Sequence, residues 1–165
     1  MTRFATVSLL VVLFLAGCGS SKKVLNQPKM NIAIMDFEAR SGVQPGEAQT
    51  IGDMFSSLLQ QTGRFIVVDR KQITTLMQEQ GFQASQEGDA AKAGKVMAVR
   101  KMFFGSIGKL GKDVFVVNIK MSDVETSSIE YAVSKYYDDD LEDIHKDFLP
   151  GLINEIVQTI DGKKK

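Results

Sequence analysis

From residue 30 onward the apolar positions of this chain change rhythm element by element. Residues 30–37 form a nearly unbroken apolar run closed by turn residues at 40–46, the pattern of a buried strand. Ala48, Ile51, Met54, Phe55, Leu58 and Leu59 then recur at helical spacing, with Pro45 at the start and Gly63 just past the end. Phe65-Ile66-Val67-Val68 reads as a second strand. Asp69 is placed to cap a second helix, with Gln72 as its capping-box partner. Ile73, Leu76 and Met77 give that helix an inner face, and Gly81 closes it. After a polar loop at 85–88, a shorter helix is predicted over 89–98 with Ala90, Ala93, Val96 and Met97 turned inward.

The period then shifts to two. Residues 102–109 and 113–121 are predicted strands joined by a hairpin at Leu110-Gly111-Lys112, and Phe115, Val117, Ile119 and Met121 share one face. Residues 123–128 turn the chain into a third strand at 129–136. A wide apolar stripe from Ile144 to Ile160 marks a last helix over 141–160, capped by Asp140 and kinked or divided at Pro150. The order β-α-β-α-α-β-β-β-α implies an α/β (α+β) fold: a mixed sheet of about five strands with helices packed on it.

Ahead of this region stands an apolar run of a different kind. Met1-Thr2-Arg3 is a short basic start, residues 4–15 are predominantly apolar, and Leu15-Ala16-Gly17-Cys18 ends the run. The run is shorter than the roughly 20 residues a spanning helix needs, and its layout is that of a secretory signal. Cys18 is the only cysteine, so a lipobox is expected: cleavage between Gly17 and Cys18, and lipid attachment on the Cys18 sulfur. A lone thiol also rules out an intramolecular disulfide framework. The expected organisation is a signal peptide at 1–17, a lipidated cysteine and flexible tether at 18–29, and one domain at 30–165. Fully extended, the eleven tether residues after Cys18 reach about 40 Å. Gly19, where an inner-membrane retention signal would place Asp, points to an outer-membrane location, with the domain facing the periplasm or the cell surface.

Twenty basic residues balance 20 acidic ones. That neutrality argues against nucleic acid as a partner, which normally demands a basic patch. His145 is the sole histidine; a histidine-based metal cluster is excluded, and a Ser-His-Asp triad would have to use this residue, beside Asp143 and Asp147 on a polar helix face. The glycine-rich stretch from Gly105 to Lys112 resembles a phosphate loop only superficially, because five residues separate Gly105 from Gly111 and a strand follows. Hairpin glycines explain it better. Asp138-Asp139-Asp140 diverge too much to hold a cation and suit a helix N-terminus. Asp36 and Glu38 flank the end of the first strand, a common place for α/β sites, but without an evident partner group. No catalytic, cofactor or metal residue emerges, and an enzyme is not expected.

Residues 32–39 (IAIMDFEA), 62–70 (TGRFIVVDR), 78–83 (QEQGFQ), 104–109 (FGSIGK) and 123–126 (DVET), in this order, resemble the CsgG-like curli-secretion lipoprotein family. The resemblance covers about residues 30–160. It implies a periplasmic α/β domain similar to the N-terminal domain of TolB and to LpoB, a lipoprotein that activates a penicillin-binding protein. The implied role is a non-enzymatic, protein-binding accessory in envelope assembly or secretion. Two alternatives follow from the same resemblance: an oligomeric curli-type transport component, and an activator of cell-wall synthesis. The implied partners are the membrane, through the lipid, and another envelope protein, with homo-oligomerisation left open. The chain departs from the family in its loops, which are too short for membrane hairpins of about 9–11 residues per strand, and in having no cysteine pair at 84–91.

Overall fold

The computed structural model describes residues 28–81 and 87–162. Six strands make one sheet. β1 (Met30–Ile34) lies between β3 (Phe65–Val68) and β4 (Lys101–Leu110), parallel to both, and β5 (Val114–Asp123) and β6 (Ile129–Tyr137) continue it antiparallel, in the order β3-β1-β4-β5-β6. The predicted mixed sheet is present. It also has a strand that periodicity did not reveal: β2 (Glu38–Ala39), two residues long, which pairs with β4 through Glu38–Ser106 and Ala39–Ile107.

The helices are α1 (Pro45–Gln61), α2 (Arg70–Glu79), α3 (Glu87–Val96) and α4 (Phe148–Gly162). Pro45 stands at the start of α1, where its missing N–H is no loss, and the Glu47 carboxylate accepts from the Gln44 N–H at 2.7 Å. Asp69 caps α2 as expected, but its side chain accepts from the Lys71 N–H at 2.8 Å. The predicted last helix is divided. A 3-10 turn at Leu141–Asp143 precedes α4, and Pro150 lies in the first turn of α4, where an N–H has no helical partner to lose. Val96, expected to face inward, is 72% exposed. α3 instead packs through Ala90, Ala91, Ala93 and Gly94, and unwinds after Val96 through a bond from the Val99 N–H to the Gly94 carbonyl. Small residues bring this helix close to the sheet: a Cβ on Gly94 would sit 3.2 Å from the Met102 sulfur.

Alternation along the strands sorts two cores. On one face Ile32, Ile34, Phe103, Ile107, Val117, Ile119 and Met121 pack against Phe55 and Leu59 of α1 and Leu152, Ile153 and Ile156 of α4. Phe55 meets the Phe37 ring at a tilt and the Phe103 ring edge-to-face, at 5.6 and 5.7 Å between ring centroids. On the other face Ala33, Met35 and Met102 pack against Ile73 and Met77 of α2 and Ala90 and Ala93 of α3. Among the described residues, no helix is long and apolar enough to cross a membrane.

Candidate functional site, an open half of the sheet

The second face is only partly roofed. α2 and α3 cover Ala33 of β1, Met35 beyond it, Val68 of β3 and Met102 of β4, while Ile66 of β3 is 48% exposed and the rest of that face over β4, β5 and β6 lies open. Register places Phe104 beside Lys120 and Ala132, Ser106 beside Asn118 and Ser134, and Gly108 beside Val116 and Tyr136. Glu38 and Arg40 of the β2 edge extend the same surface. Of these, Lys120, Ala132, Ser134 and Tyr136 are exposed and the central residues half-buried. A trough of about 520 Å³ runs over Arg40, Ser106, Asn118, Lys120, Ala132 and Ser134. It merges with a hollow of about 600 Å³ that reaches Met35, Asp36 and Thr74.

Side-chain size makes the trough. The face packed on α1 and α4 carries Phe103, Ile107, Val117 and Ile119, while the open face carries Ser106, Gly108, Asn118, Ala132 and Ser134. Asn118 Nδ2 donates to Ser106 Oγ at 3.2 Å across the floor. The charges on the rim are paired: Arg40 with Glu38 at 2.8 Å and Lys120 with Glu87 at 3.2 Å. The surface is thus mixed, shallow and neutral. It suits contact with another protein better than enclosure of a small molecule.

Gly105 and Gly108 lie within β4, and only Gly111, with φ +77°, occupies the hairpin turn. Hairpin geometry therefore does not account for the first two. A Cβ on Gly105 would come 2.4 Å from the Phe37 ring, and one on Gly108 would come 2.8 Å from the Arg40 Cβ. Both glycines let the segment around β2 lie close over β4.

The remaining candidates are scattered. His145 is exposed, and its Nδ1 lies 2.8 Å from the Glu142 carbonyl oxygen, inside its own turn. Asp36 pairs with Arg70 at 2.9 Å, and Arg70 also reaches Asp53 at 3.1 Å. The side chain of Asp139 accepts from the Asp140 N–H at 2.8 Å. Among the described residues, no group of three His, Cys, Asp or Glu side chains is placed to hold a metal ion. Gly17 and Cys18 lie outside the described residues.

One charged cluster was not foreseen. Lys101 Nζ sits 2.6 Å from both Asp123 and Glu130, and the Lys101 and Asp123 side chains are almost fully buried. Burial opposes ionisation of Asp123, but hydrogen bonds from Lys101 and from the Thr126 N–H and hydroxyl outweigh it and hold its pKa at about 2. The cluster ties the turn between β5 and β6 to the start of β4 and is structural in character. Elsewhere, burial and the Glu155 carboxylate push the Tyr131 hydroxyl up to about 12.

Residues 19–116 match the family model described as curli production assembly/transport component CsgG. No curated protein sequence matches this chain. Among solved structures, the LpoB C-terminal domain from Salmonella enterica is similar, with a TM-score of 0.56 at 13% identity over 66% of this chain and 82% of that one. Lipoprotein GNA1162 from Neisseria meningitidis gives a TM-score of 0.55 at 9% identity, covering 79% of this chain and 96% of its own. TolB from Acinetobacter baumannii gives 0.53 at 16% identity over 82% of this chain, which corresponds to 29% of TolB. At these identities the likeness is one of fold.

Proposed function

The chain belongs to the CsgG family, and on that premise we propose that it is a non-enzymatic, lipid-anchored accessory of the outer membrane whose open sheet face docks another envelope protein. The observation that carries this reading is the trough over β4, β5 and β6, a mixed neutral surface that α2 and α3 leave uncovered. Lipid on Cys18 supplies the address, and the tether keeps the domain within about 40 Å of its leaflet. A single acyl chain binds only marginally, so stable attachment requires the diacylglycerol of a lipoprotein. The domain faces the periplasm in this reading and contributes to assembly or secretion by binding.

The docking claim is tested by photo-crosslinking in living cells. A photoreactive residue replaces exposed Lys120 in the trough or, as a control, exposed Gln49 on the outside of α1. A defined adduct with another protein is expected from position 120 and not from position 49. The same adducts from both positions, or none from 120, would overturn the trough as the docking face. For the anchor, Cys18→Ser should move the chain from the membrane fraction to the soluble fraction and abolish labelling by a fatty acid. A variant that is still labelled would refute lipid attachment at Cys18.

A further inference from the structure

The two edges of the sheet are built differently. β3 is four residues long, a length that by itself discourages pairing with another chain. β6 is nine residues long, and among the described residues no strand pairs with its outer edge. Its first part is irregular: Met121 pairs with Tyr131 and Ser122 with Ile129, so Glu130 is the extra residue of a bulge, and its carboxylate turns inward to Lys101. From Tyr131 to Tyr137 the strand pairs regularly, with no proline and with Lys135 as its one charged residue. It therefore offers a regular seven-residue edge on which alternate residues turn their N–H and C=O groups outward, a template for a further strand.

We propose that a second copy of this chain adds to that edge, antiparallel, about a two-fold axis through Ser134. Joining the two sheets face for face requires opposed residues to share a face, so their numbers must sum to an even value. A sum of 268 pairs the whole regular segment with itself: Ser134 with Ser134, Val133 with Lys135, Ala132 with Tyr136 and Tyr131 with Tyr137. The large exposed Tyr136 then covers the small Ala132 of the other copy. A sum of 270 would set Lys135 against itself, and a sum of 266 would oppose Tyr136 to the inward-turned Glu130.

The charges favour the same register. Glu155 of α4 accepts from both the Tyr131 hydroxyl and Lys135, so its carboxylate spans the position of Val133. Lys135 of the second copy lies opposite Val133, beside that carboxylate. Two lysines and two glutamates thereby alternate around the axis, each Glu155 gaining a second cation. β6 runs in the same direction as β1, so the two tethers leave from opposite ends of the joined sheet. Both reach one leaflet when the sheet lies along the membrane with the two-fold axis upright. The open faces of the two copies become one continuous surface.

The test uses the full-length chain in detergent and in cells. Sedimentation of the wild type should show a concentration-dependent dimer, and Ser134→Lys, which sets lysines against each other on the axis at an exposed position, should be monomeric with an unchanged circular dichroism spectrum. In oxidised cells Ser134→Cys should give a disulfide-linked dimer. The parent chain, whose one cysteine is Cys18, and Tyr136→Cys, which faces Ala132 and not itself, should not. A wild type that stays monomeric up to about 100 µM, or a dimer that survives Ser134→Lys, would overturn the proposal. Linkage through Tyr136→Cys but not Ser134→Cys would overturn the register, as would linkage through neither.

Discussion

The two faces of this sheet are made from the same strands and come to opposite ends. Phe103 and Phe104 are chain neighbours, yet Phe103 is fully buried against Phe55 of α1, while Phe104 looks across a half-covered surface toward Lys120. On the covered face Phe103, Ile107, Phe115, Val117, Ile119 and Met121 are large and apolar, Gly105 makes room for Phe37, and charge enters only towards the strand ends, at Lys101, Lys109 and Asp123. On the other face Ser106, Gly108, Asn118, Ala132 and Ser134 make a small and polar floor where the roof of α2 and α3 ends, with Val116 and Tyr136 at its far end. The difference separates what holds the fold from what is available for binding: one face is committed to the core, and the other keeps its floor free.

Truncating the two phenylalanines gives the widest separation. Phe103→Ala should cost about 3–5 kcal/mol in urea unfolding, because a fully buried ring packed on Phe55 leaves a cavity in the core. Phe104→Ala should cost no more than about 1.5 kcal/mol, since part of its ring already meets water. Equal losses would mean that the open face is covered in solution, by a partner or by a second copy.

Gly105→Ala examines how tightly the covered face is packed. With a Cβ directed 2.4 Å from the Phe37 ring, it should cost roughly 1–3 kcal/mol through forced repacking. A melting temperature within about 1 °C of the wild type would show that the β2 segment yields freely.

The covered face also ends in charge, and acid distinguishes it from the open one. Asp123 has a folded pKa of about 2, below its ordinary value of 3.8. A group depressed on folding adds stability that is fully present above its unfolded pKa and is lost as pH falls through the folded one. The wild type should therefore lose roughly 2 kcal/mol between about pH 5 and pH 2 through this group. Asp123→Asn should flatten that part of the profile while lowering stability at neutral pH. An unchanged profile in Asp123→Asn would assign the acid sensitivity to other carboxylates.

Much of this contrast was legible in the sequence, and the limits were physical. The alternation of Phe115, Val117, Ile119 and Met121 announces the core face, and the same alternation implies its complement: Ser106, Asn118, Lys120 and Ser134 on the opposite side. What periodicity could not reveal is how far α2 and α3 extend over that side, because roofing is a tertiary matter. β2 escaped notice because two residues carry no period. The inward direction of Val96 failed because helical spacing says nothing about where a helix unwinds, and α3 does so at that residue. The ion cluster unites Lys101, Asp123 and Glu130 from three strands, which only the register brings together. The lipid anchor proposed at Cys18 rests on local pattern alone, since a processing signal is recognised as sequence.

The smallest expected effect on stability carries the most weight for function. Lys120→Ala removes an ion pair with Glu87 in which both side chains are nearly half exposed. Exposed pairs of this kind contribute about 0–1 kcal/mol, because water screens the attraction and two long side chains lose freedom in making it. The variant should unfold within that margin of the wild type. If the trough is the docking face, capture of the partner identified by crosslinking should nevertheless fall several-fold, since the change lies on the rim of the trough and alters its charge. Core substitutions of equal or greater cost, such as Gly105→Ala, should reduce capture only as far as they reduce the folded population. A Lys120→Ala chain that binds as well as the wild type would move the docking face away from this rim.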